Sequence, residues 1–310
     1  MKYGFGVDIG GTTIKIGLFS VEGDLIEKWE IPTNKEDNGK YILTEIADFI
    51  NRTIETKGID KSDVIGVGLG VPGPVNKNGF VSVCVNLGWN SLNVEKEFHE
   101  ISGLPVQVGN DANVAALGEM WQGAGKGYQD VLMVTLGTGV GGGCVLNGKI
   151  VSGIHGAGGE IGHMPVKDDE PTACNCGNHG CLEQYVSATG IVTQAKKVLD
   201  QDARSSSLRN YECLEAKHVY DEAKNGDVVA NEIVDSTCKI LAKALAQICS
   251  VIDPEIIVIG GGVSKAGDIL TSRITQSFKK YVFNACAQMP IVLAKLENDA
   301  GMYGCVKSLF

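Results

Sequence analysis

The chain has 310 residues and a mass of 32.8 kDa, about twice the usual length of one domain, which favours two packed lobes over one. Its 27 basic and 37 acidic residues give a formal net charge of −10, so the chain has no general attraction for nucleic acid or for an anionic membrane. The N-terminus lacks an apolar stretch followed by a small-residue cleavage site, which predicts a cytoplasmic protein.

The first elements along the chain form a hairpin with glycines at its corner. Tyr3 to Leu18 is a strand that runs into Gly10 and Gly11 and continues as a second strand, and a turn at residues 22–24 leads to a third strand. Residues 131–145 repeat this plan at a constant offset of 127 positions. The repeat predicts two similar lobes, each opening with a hairpin of this kind.

The rest of the chain alternates between helical and strand periods. Apolar spacing predicts buried strands and amphipathic helices. The strands are expected at residues 64–71, 106–108 and 256–259, and the helices at residues 42–54, 111–121, 228–252, 268–282 and 301–310. This alternation indicates the α/β class.

The first hairpin carries residues suited to the phosphates of a nucleotide. The glycines allow close approach of an anion, the threonines offer hydroxyls, the lysine offers a positive charge, and the aspartate can hold a hydrated magnesium ion. These residues are Asp8, Gly10, Gly11, Thr12, Thr13 and Lys15. The alternative is a tight hairpin with ordinary polar surface residues.

Two further glycine clusters are candidates for nucleotide contacts. The second hairpin, with Gly137, Thr138 and Gly139, also matches the G-x-G-x-x-G dinucleotide pattern, but that pattern requires a helix next and a strand is predicted here. Gly261 and Gly262 follow a predicted strand and precede a helix. They could contact an adenine or ribose, or simply form the turn that enters the helix.

Several acids and amides lie beside predicted turns. Asn110 and Asp111 stand between a strand and a helix. Asp111 could cap that helix, or it could accept a proton from an attacking hydroxyl, a role that contributes about 10²- to 10⁴-fold in rate. Glu160 and Glu183 lie near glycine turns. Groups that accept hydrogen bonds from several hydroxyls suit a sugar.

A cysteine–histidine cluster is the strongest local signal. His163, Cys174, Cys176 and Cys181 can close a tetrahedral Cys₃His site, and four protein ligands would make its zinc structural. A redox pair is the alternative, but the spacing is Cys-x-Cys and not Cys-x-x-Cys. The other seven cysteines are expected to pack in the core.

Six segments in order resemble the ROK family of sugar kinases and sugar-responsive repressors, and most closely its bacterial ATP-dependent glucokinases. They are Asp8–Leu18, Asn110–Glu119, Leu136–Gly143, Gly158–His163, Cys174–Gly190 and Ile259–Ser264. The resemblance implies a two-lobed actin-like, hexokinase-like (ribonuclease H-like) fold with duplicated mixed-sheet domains. Residues 1–110 with 300–310 would form the small N-terminal lobe, and residues 111–299 the larger lobe with the zinc site.

The resemblance also implies a function. ATP with Mg²⁺ would phosphorylate the 6-hydroxyl of glucose, with Asp111 as general base and with Asn110, Glu160, His163 and Glu183 on the sugar hydroxyls. A homodimer without nucleic-acid or membrane partners is expected.

The identity of the sugar is open at this point. Val85 stands where glucokinases often have proline, so kinases for N-acetylmannosamine, N-acetylglucosamine or fructose are alternatives. A sugar-responsive repressor is a further alternative. Repressors of the family carry a DNA-binding module before the first hairpin, whereas here that hairpin begins at residue 3, which leaves no room for a helix-turn-helix.

Overall fold

The computed structural model describes all residues from Met1 to Phe310. Its strands and helices follow in the order β1 (Tyr3–Ile9), β2 (Thr13–Ser20), β3 (Leu25–Pro32), α1 (Glu36–Gly39), α2 (Ile42–Thr56), β4 (Val64–Val71), β5 (Phe80–Cys84), β6 (Trp89–Asn93), α3 (Val94–Ser102), β7 (Val106–Asn110), α4 (Asp111–Gln122), β8 (Val131–Leu136), β9 (Val140–Leu146), β10 (Lys149–Ile150), α5 (Glu183–Val186), α6 (Ala188–Gln201), α7 (Ala216–Lys224), α8 (Val228–Ile252), β11 (Ile256–Gly260), α9 (Asp268–Phe278), β12 (Ile291–Leu293) and α10 (Ala300–Lys307). No helix combines the length and apolar character needed to cross a bilayer.

Two five-stranded sheets have the same strand order. The first is β3-β2-β1-β4-β7 and the second is β10-β9-β8-β11-β12. In the first sheet β1 pairs antiparallel with β2 and parallel with β4. In the second, β11 pairs parallel with both β8 and β12, while β10 pairs antiparallel with β9. The predicted duplication of mixed sheets is confirmed.

The strand boundaries of the two hairpins occur at equivalent sequence positions. In the first hairpin β1 ends at Ile9 and β2 begins at Thr13. In the second, β8 ends at Leu136 and β9 begins at Val140. Both pairs keep the offset of 127 positions. Because β9 begins directly after Gly139, no helix follows the second glycine cluster and the dinucleotide interpretation is excluded.

The chain divides into two units. Unit 1 contains residues 1–129, 143–159 and 295–310, and unit 2 contains residues 130–142 and 160–294. Each unit has its own apolar core, built in unit 1 on β1, β2, β4 and α2, and in unit 2 on β8, β11, α7 and α8. Residues 111–129, 143–159 and 295–299, which the sequence assigned to the second lobe, therefore lie in unit 1.

The helix α4 lies in unit 1 because it packs closely on α10. A β-carbon on Gly118 of α4 would overlap the backbone carbonyl of Ala300, and one on Gly304 of α10 would overlap that of Val114. Only glycine permits this approach of two helix backbones.

Some predicted boundaries were wrong. The helix predicted over residues 268–282 ends at Phe278, because Lys280 and Tyr281 donate backbone hydrogen bonds three residues back and form a tight turn. The last helix spans Ala300–Lys307 and not residues 301–310. Six of the seven cysteines expected in the core are buried, but Cys213 is exposed.

Candidate active site and metal centre

Asn110, and not Asp111, caps the helix α4. Asn110 is the N-cap of α4, and its Oδ1 accepts a hydrogen bond from the Asn113 N–H at 3.1 Å. The Nδ2 of Asn110 donates to the carbonyl of Gly73 at 3.1 Å. Asp111 is the first helical residue, and its Oδ1 accepts from the Ala112 N–H at 2.8 Å. The capping role that was considered for Asp111 therefore belongs to Asn110. Asp111 is the first residue of α4 and lies at the positive end of the helix dipole.

Asp8 lies at the end of β1 and interacts electrostatically with Asp111. Burial is the main cause that raises the pKa of Asp8 to about 6, the negative charge of Asp111 raises it further, and Lys15 on the facing strand lowers it. The first turn of α10 adds to the crowding, because a β-carbon on Gly301 would lie 2.6 Å from Oδ2 of Asp8. A divalent cation beside Asp8 would favour the ionised form of this carboxyl group.

Lys15 is engaged within unit 1. Its Nζ donates to the carbonyl of Asn298 at 2.8 Å. Asn298 precedes α10, so Lys15 connects the first hairpin to the segment that leads into that helix. A predicted phosphate-binding lysine thus has a structural partner in this structure.

A second lysine, which the sequence analysis missed, lies beside the glycine turn. The Thr33 hydroxyl donates to the carbonyl of Gly10 at 2.7 Å, and the Thr33 N–H donates to the carbonyl of Thr12 at 2.9 Å. These bonds fasten the chain after β3 onto the turn, so that Nζ of Lys35 lies 3.7 Å from the place of a β-carbon on Gly11. The antiparallel register of β2 and β3, which pairs Thr13 with Pro32, is the signal that could have pointed to it.

The second hairpin is a tight turn in unit 2. The N–H of Gly137 donates to the carbonyl of Gly139 at 3.0 Å, and the Thr189 hydroxyl donates to the carbonyl of Thr138 at 3.0 Å. A β-carbon on Gly137 would meet nothing within 4 Å, whereas one on Gly139 would lie 2.7 Å from Oε2 of Glu183. One side of the turn is therefore open, and the other is covered by a carboxylate.

The third glycine cluster borders a pocket. Gly261 has φ +83° and is held close to the backbone of Leu136, so glycine is required there, while the space beside Gly262 is open. The pocket has a volume of about 740 Å³ and walls that are largely apolar. Its lining comes from α6, α7, the segment before α7 and the turn after β11, namely Ala188, Thr189, Val192, Leu214, Glu215, Ala216, Lys217, Tyr220, Asp221, Gly262, Val263, Lys265 and Ala266.

Three of the predicted sugar-binding residues lie together in unit 2. Nε2 of His163 is 3.9 Å from Oε2 of Glu160, and Nδ1 of His163 is 3.8 Å from Oε1 of Glu183. All three side chains retain partial exposure. They form a polar group with two carboxylates and an imidazole, which can pair with several hydroxyls.

The predicted metal ligands converge. One ligand atom from each of His163, Cys174, Cys176 and Cys181 lies within 4.8 Å of the others. The Sγ atoms of Cys176 and Cys181 are 3.6 Å apart, and Sγ of Cys174 is 3.7 Å from Nδ1 of His163. With Zn–S bonds of about 2.3 Å, tetrahedral geometry places two sulfurs roughly 3.8 Å apart. The cluster is compatible with a zinc ion.

In the absence of a metal ion, the loop around the cluster favours the thiolate form at only one of its three cysteines. The backbone near Asn178 lowers the pKa of Cys176, while burial raises the pKa of Cys174 and Cys181. Cys174 donates a hydrogen bond to Oε1 of Glu183 at 2.9 Å. Metal binding would remove that proton and leave the Glu183 oxygen for another donor.

The repeated mixed sheet with a glycine turn after its first strand defines an actin-like α/β protein. Within that class the chain belongs to the ROK family, whose pattern matches residues 4–308.

Similar proteins cover nearly the whole chain. A glucokinase of Halalkalibacterium halodurans is 45% identical over 304 residues, which are 96% of this chain and 92% of that protein. A ROK hexokinase structure from Thermus thermophilus has a TM-score of 0.84 at 29% identity and covers 99% of this chain and 97% of that one. A ROK family glucokinase from Streptomyces griseus, in complex with glucose and AMPPNP, has a TM-score of 0.76 at 32% identity over 99% and 98% of the two chains.

Proposed function

We propose that the chain is an ATP-dependent glucokinase that transfers the γ-phosphoryl group of ATP to the 6-hydroxyl of glucose. The observation that carries this proposal is the 45% identity with a glucokinase along 96% of the chain. It is supported by the site geometry, in which the carboxylate Asp111 begins α4 and a second carboxylate, Asp8, lies one residue before the end of β1, beside a glycine turn.

Asp111 is the proposed general base. It accepts the proton of the 6-hydroxyl while the sugar oxygen forms a bond to the γ-phosphorus and the bond from that phosphorus to the bridging oxygen of ADP breaks. The proton ends on Asp111, and the leaving electron pair ends on ADP. Because Asn110 performs the capping of α4, the role of Asp111 does not conflict with helix stability.

The glycine turns are the proposed phosphate contacts. In unit 1 the backbone of Gly10 and Gly11, the hydroxyls of Thr12 and Thr13, and the Lys35 ammonium can face phosphate oxygens. Asp8 would hold Mg²⁺ through water, and this ion would neutralise charge on the β- and γ-phosphates. The unfavourable effect of the Asp111 charge on the ionised form of Asp8 supports a cation at this place.

Unit 2 would supply the remaining nucleotide contacts. Gly137 has an open side that could receive phosphate oxygens. The largely apolar pocket beside Gly262 has the size and lining expected for an adenine base. A flat aromatic ring buries well between apolar side chains, with polar groups at the rim for its nitrogens.

The sugar would contact Asn110, Glu160, His163 and Glu183. His163 can serve two partners because its ring nitrogens differ: Nδ1 faces the cysteine cluster, and Nε2 faces Glu160. A zinc ion on Nδ1 would fix the ring and its tautomer, which leaves Nε2–H to donate to a sugar hydroxyl. The zinc in this proposal is structural and takes no part in phosphoryl transfer.

The test is ADP release with MgATP and a panel of glucose, fructose, mannose, N-acetylglucosamine and N-acetylmannosamine. We expect glucose to have the highest kcat/KM, because a site built to pair hydroxyls disfavours a sugar that leaves its acceptors unpaired. A tenfold preference for an N-acetylated sugar corresponds to about 1.4 kcal/mol in transition-state binding. It would overturn glucose as the substrate but leave the proposed mechanism of phosphoryl transfer unchanged. No stimulation by any of the sugars would contradict the kinase itself.

A further inference from the structure

Glu119, in the last turns of α4, is a fully buried carboxylate that the proposed mechanism does not use. Its relative exposure is 0%. A buried carboxylate without compensation costs several kcal/mol, so such a group is retained only where it accepts strong hydrogen bonds. The partners of Glu119 therefore indicate what the carboxylate does.

The carboxylate accepts backbone hydrogen bonds from two different segments. Oε2 accepts from the N–H of Ala124 at 2.7 Å, just after α4. Oε1 accepts from the N–H of Leu296 at 2.7 Å, and the N–H of Lys295 lies 3.0 Å from Oε1 and 3.1 Å from Oε2. A β-carbon on Gly123 would overlap Oε2. The chain thus gives Glu119 both its donors and the space to reach them.

The more distant of these segments is a re-entry point of the chain. Unit 1 resumes at Lys295, after the long stretch of unit 2 that ends at Ala294. The first two residues of the returning chain are therefore the two whose N–H groups Glu119 binds. This contact fixes where the last segment of unit 1 starts.

The returning segment then contacts the residues of the first hairpin. The carbonyl of Asn298 accepts the hydrogen bond from Lys15 at 2.8 Å. Asp299 pairs with Lys28 of β3 at 2.6 Å. Gly301 lies so close to Asp8 that a β-carbon would be 2.6 Å from its Oδ2. Residues 295–301 therefore form one wall around Asp8 and Lys15.

Glu119 also shares a helix with the proposed base. α4 begins with Asp111, and Glu119 lies two turns further along the same helix. One carboxylate thus ties the helix that carries the base to the segment that packs on Asp8. We propose that Glu119 is a positioning residue for phosphoryl transfer, which holds residues 295–301 in register with α4 and thereby sets the place of Asp8 relative to Asp111. This inference rests on the proposed kinase function.

The test compares Glu119→Gln with the wild type. The amide keeps the shape but turns one acceptor into a donor that faces backbone N–H groups. We expect at least a tenfold loss in kcat/KM for MgATP and less than a twofold change in KM for glucose. Amide hydrogen exchange at Ala124, Lys295 or Leu296 should become at least tenfold faster, since the glutamine keeps only one oxygen to accept from these N–H groups.

A matched control separates positioning from general stability. Thr237→Val removes a buried hydroxyl that donates to the carbonyls of Ile233 and Val234 within α8. It should lower the melting temperature to a similar or smaller extent while leaving both kinetic constants and the exchange at Lys295 unchanged. If Glu119→Gln does not fold, Glu119→Asp keeps the charge but shortens its reach, and the same measurements apply.

The outcomes are distinguishable. A folded Glu119→Gln protein with wild-type kinetics and faster exchange at Ala124, Lys295 or Leu296 would show that Glu119 is only structural and would overturn the inference. If the wild type phosphorylates no sugar, the proposed function fails, and the inference is then decided by calorimetric titration with MgAMPPNP. Affinity at least tenfold weaker in Glu119→Gln supports it, and equal affinity overturns it.

Discussion

The two glycine hairpins have the same strand positions but different chemistry. At the offset of 127 positions, Asp8 of the first hairpin corresponds to Thr135 of the second, and Lys15 corresponds to Gly142. The hairpin of unit 1 thus carries charged side chains at positions that are neutral in unit 2, whereas unit 2 has a cysteine–histidine cluster that could hold a metal ion. The comparison teaches that the duplicated fold fixes where a ligand can approach, while the side chains at equivalent positions decide what each copy does.

The stability of the two units should differ for the same reason. In unit 1, burial and the negative charge of Asp111 both disfavour the ionised form of Asp8, so this carboxylate lowers the stability of the folded chain at neutral pH. In unit 2, a zinc ion on the cysteine cluster would add to stability. The predictions below would break or sharpen this contrast.

The largest effect is expected for Asp111→Asn. Asparagine keeps the shape but cannot accept the proton of the sugar hydroxyl, so kcat should fall by at least about 10²-fold while the protein stays folded. Steady-state kinetics with glucose, together with a melting curve, would measure this. Turnover near that of the wild type would refute the assignment of the base.

The second prediction concerns unit 2. Cys176→Ser should lose the metal, and its melting temperature should fall by at least about 5 °C, because a closed structural site contributes folding free energy. Elemental analysis and calorimetry are the measurements. Cys213→Ser, which changes an exposed cysteine outside the cluster, should retain both metal and stability. Wild-type protein that is active and free of zinc would contradict the claim that a zinc ion stabilises unit 2.

The third prediction concerns the stability that the folded chain loses when the buried Asp8 carboxyl group is ionised. Asp8→Asn should lower kcat/KM for MgATP by about tenfold or more, since the magnesium contact is lost, yet it should make the protein more stable at pH 7. Because the pKa of Asp8 is about 6 in the folded chain and 3.8 as its ordinary value, the stability gain is about 2 to 3 kcal/mol at most.

The pH dependence of that gain has a defined sign. In the folded wild type the Asp8 carboxyl group keeps its proton up to about pH 6, whereas in the unfolded chain it loses the proton near pH 4. Wild-type stability should therefore fall as pH rises from about 4 to about 6, and the advantage of Asp8→Asn should grow over this window. Urea unfolding of both proteins at pH 4, 5, 6 and 7 would measure it. A gain that is the same at every pH would mean that the ionisation of Asp8 is not its cause.

The smallest effect is expected for Lys35→Met. Because Lys35 lies beside Gly11 while Lys15 is bonded to Asn298, its removal should raise KM for MgATP about three- to tenfold with little change in kcat. Lys40→Met, at an exposed lysine that lies over the ring of Tyr41, is the matched control and should leave KM unchanged. If both variants behave like the wild type, the phosphates are held without Lys35.

Much of the fold could be predicted from the sequence because its signals are local. The helix over Val228–Ile252 and the strand over Val64–Val71 match their predicted bounds, since long periodic segments carry a strong signal. The hairpins were found because glycines mark their turns in both copies. The helix α3 and the small sheet of β5 and β6 were missed, because their short apolar runs are interrupted by polar residues.

The candidate site was predictable in composition but not in its pairings. The convergence of His163 with the three cysteines follows from close spacing along the chain. By contrast, the hydrogen bond from Lys15 to the Asn298 carbonyl and that from the Lys295 N–H to Glu119 join residues that are far apart in sequence. No local pattern in the sequence reports such contacts.

The most direct test of the account is the ³¹P spectrum of the product formed from MgATP and glucose. We predict one new phosphate monoester whose phosphorus couples to two protons, as expected for a phosphate on carbon 6, with one ADP formed for each ester. Release of inorganic phosphate without an ester, or an ester at another carbon, would contradict the assignment of this chain as a kinase of the glucose 6-hydroxyl.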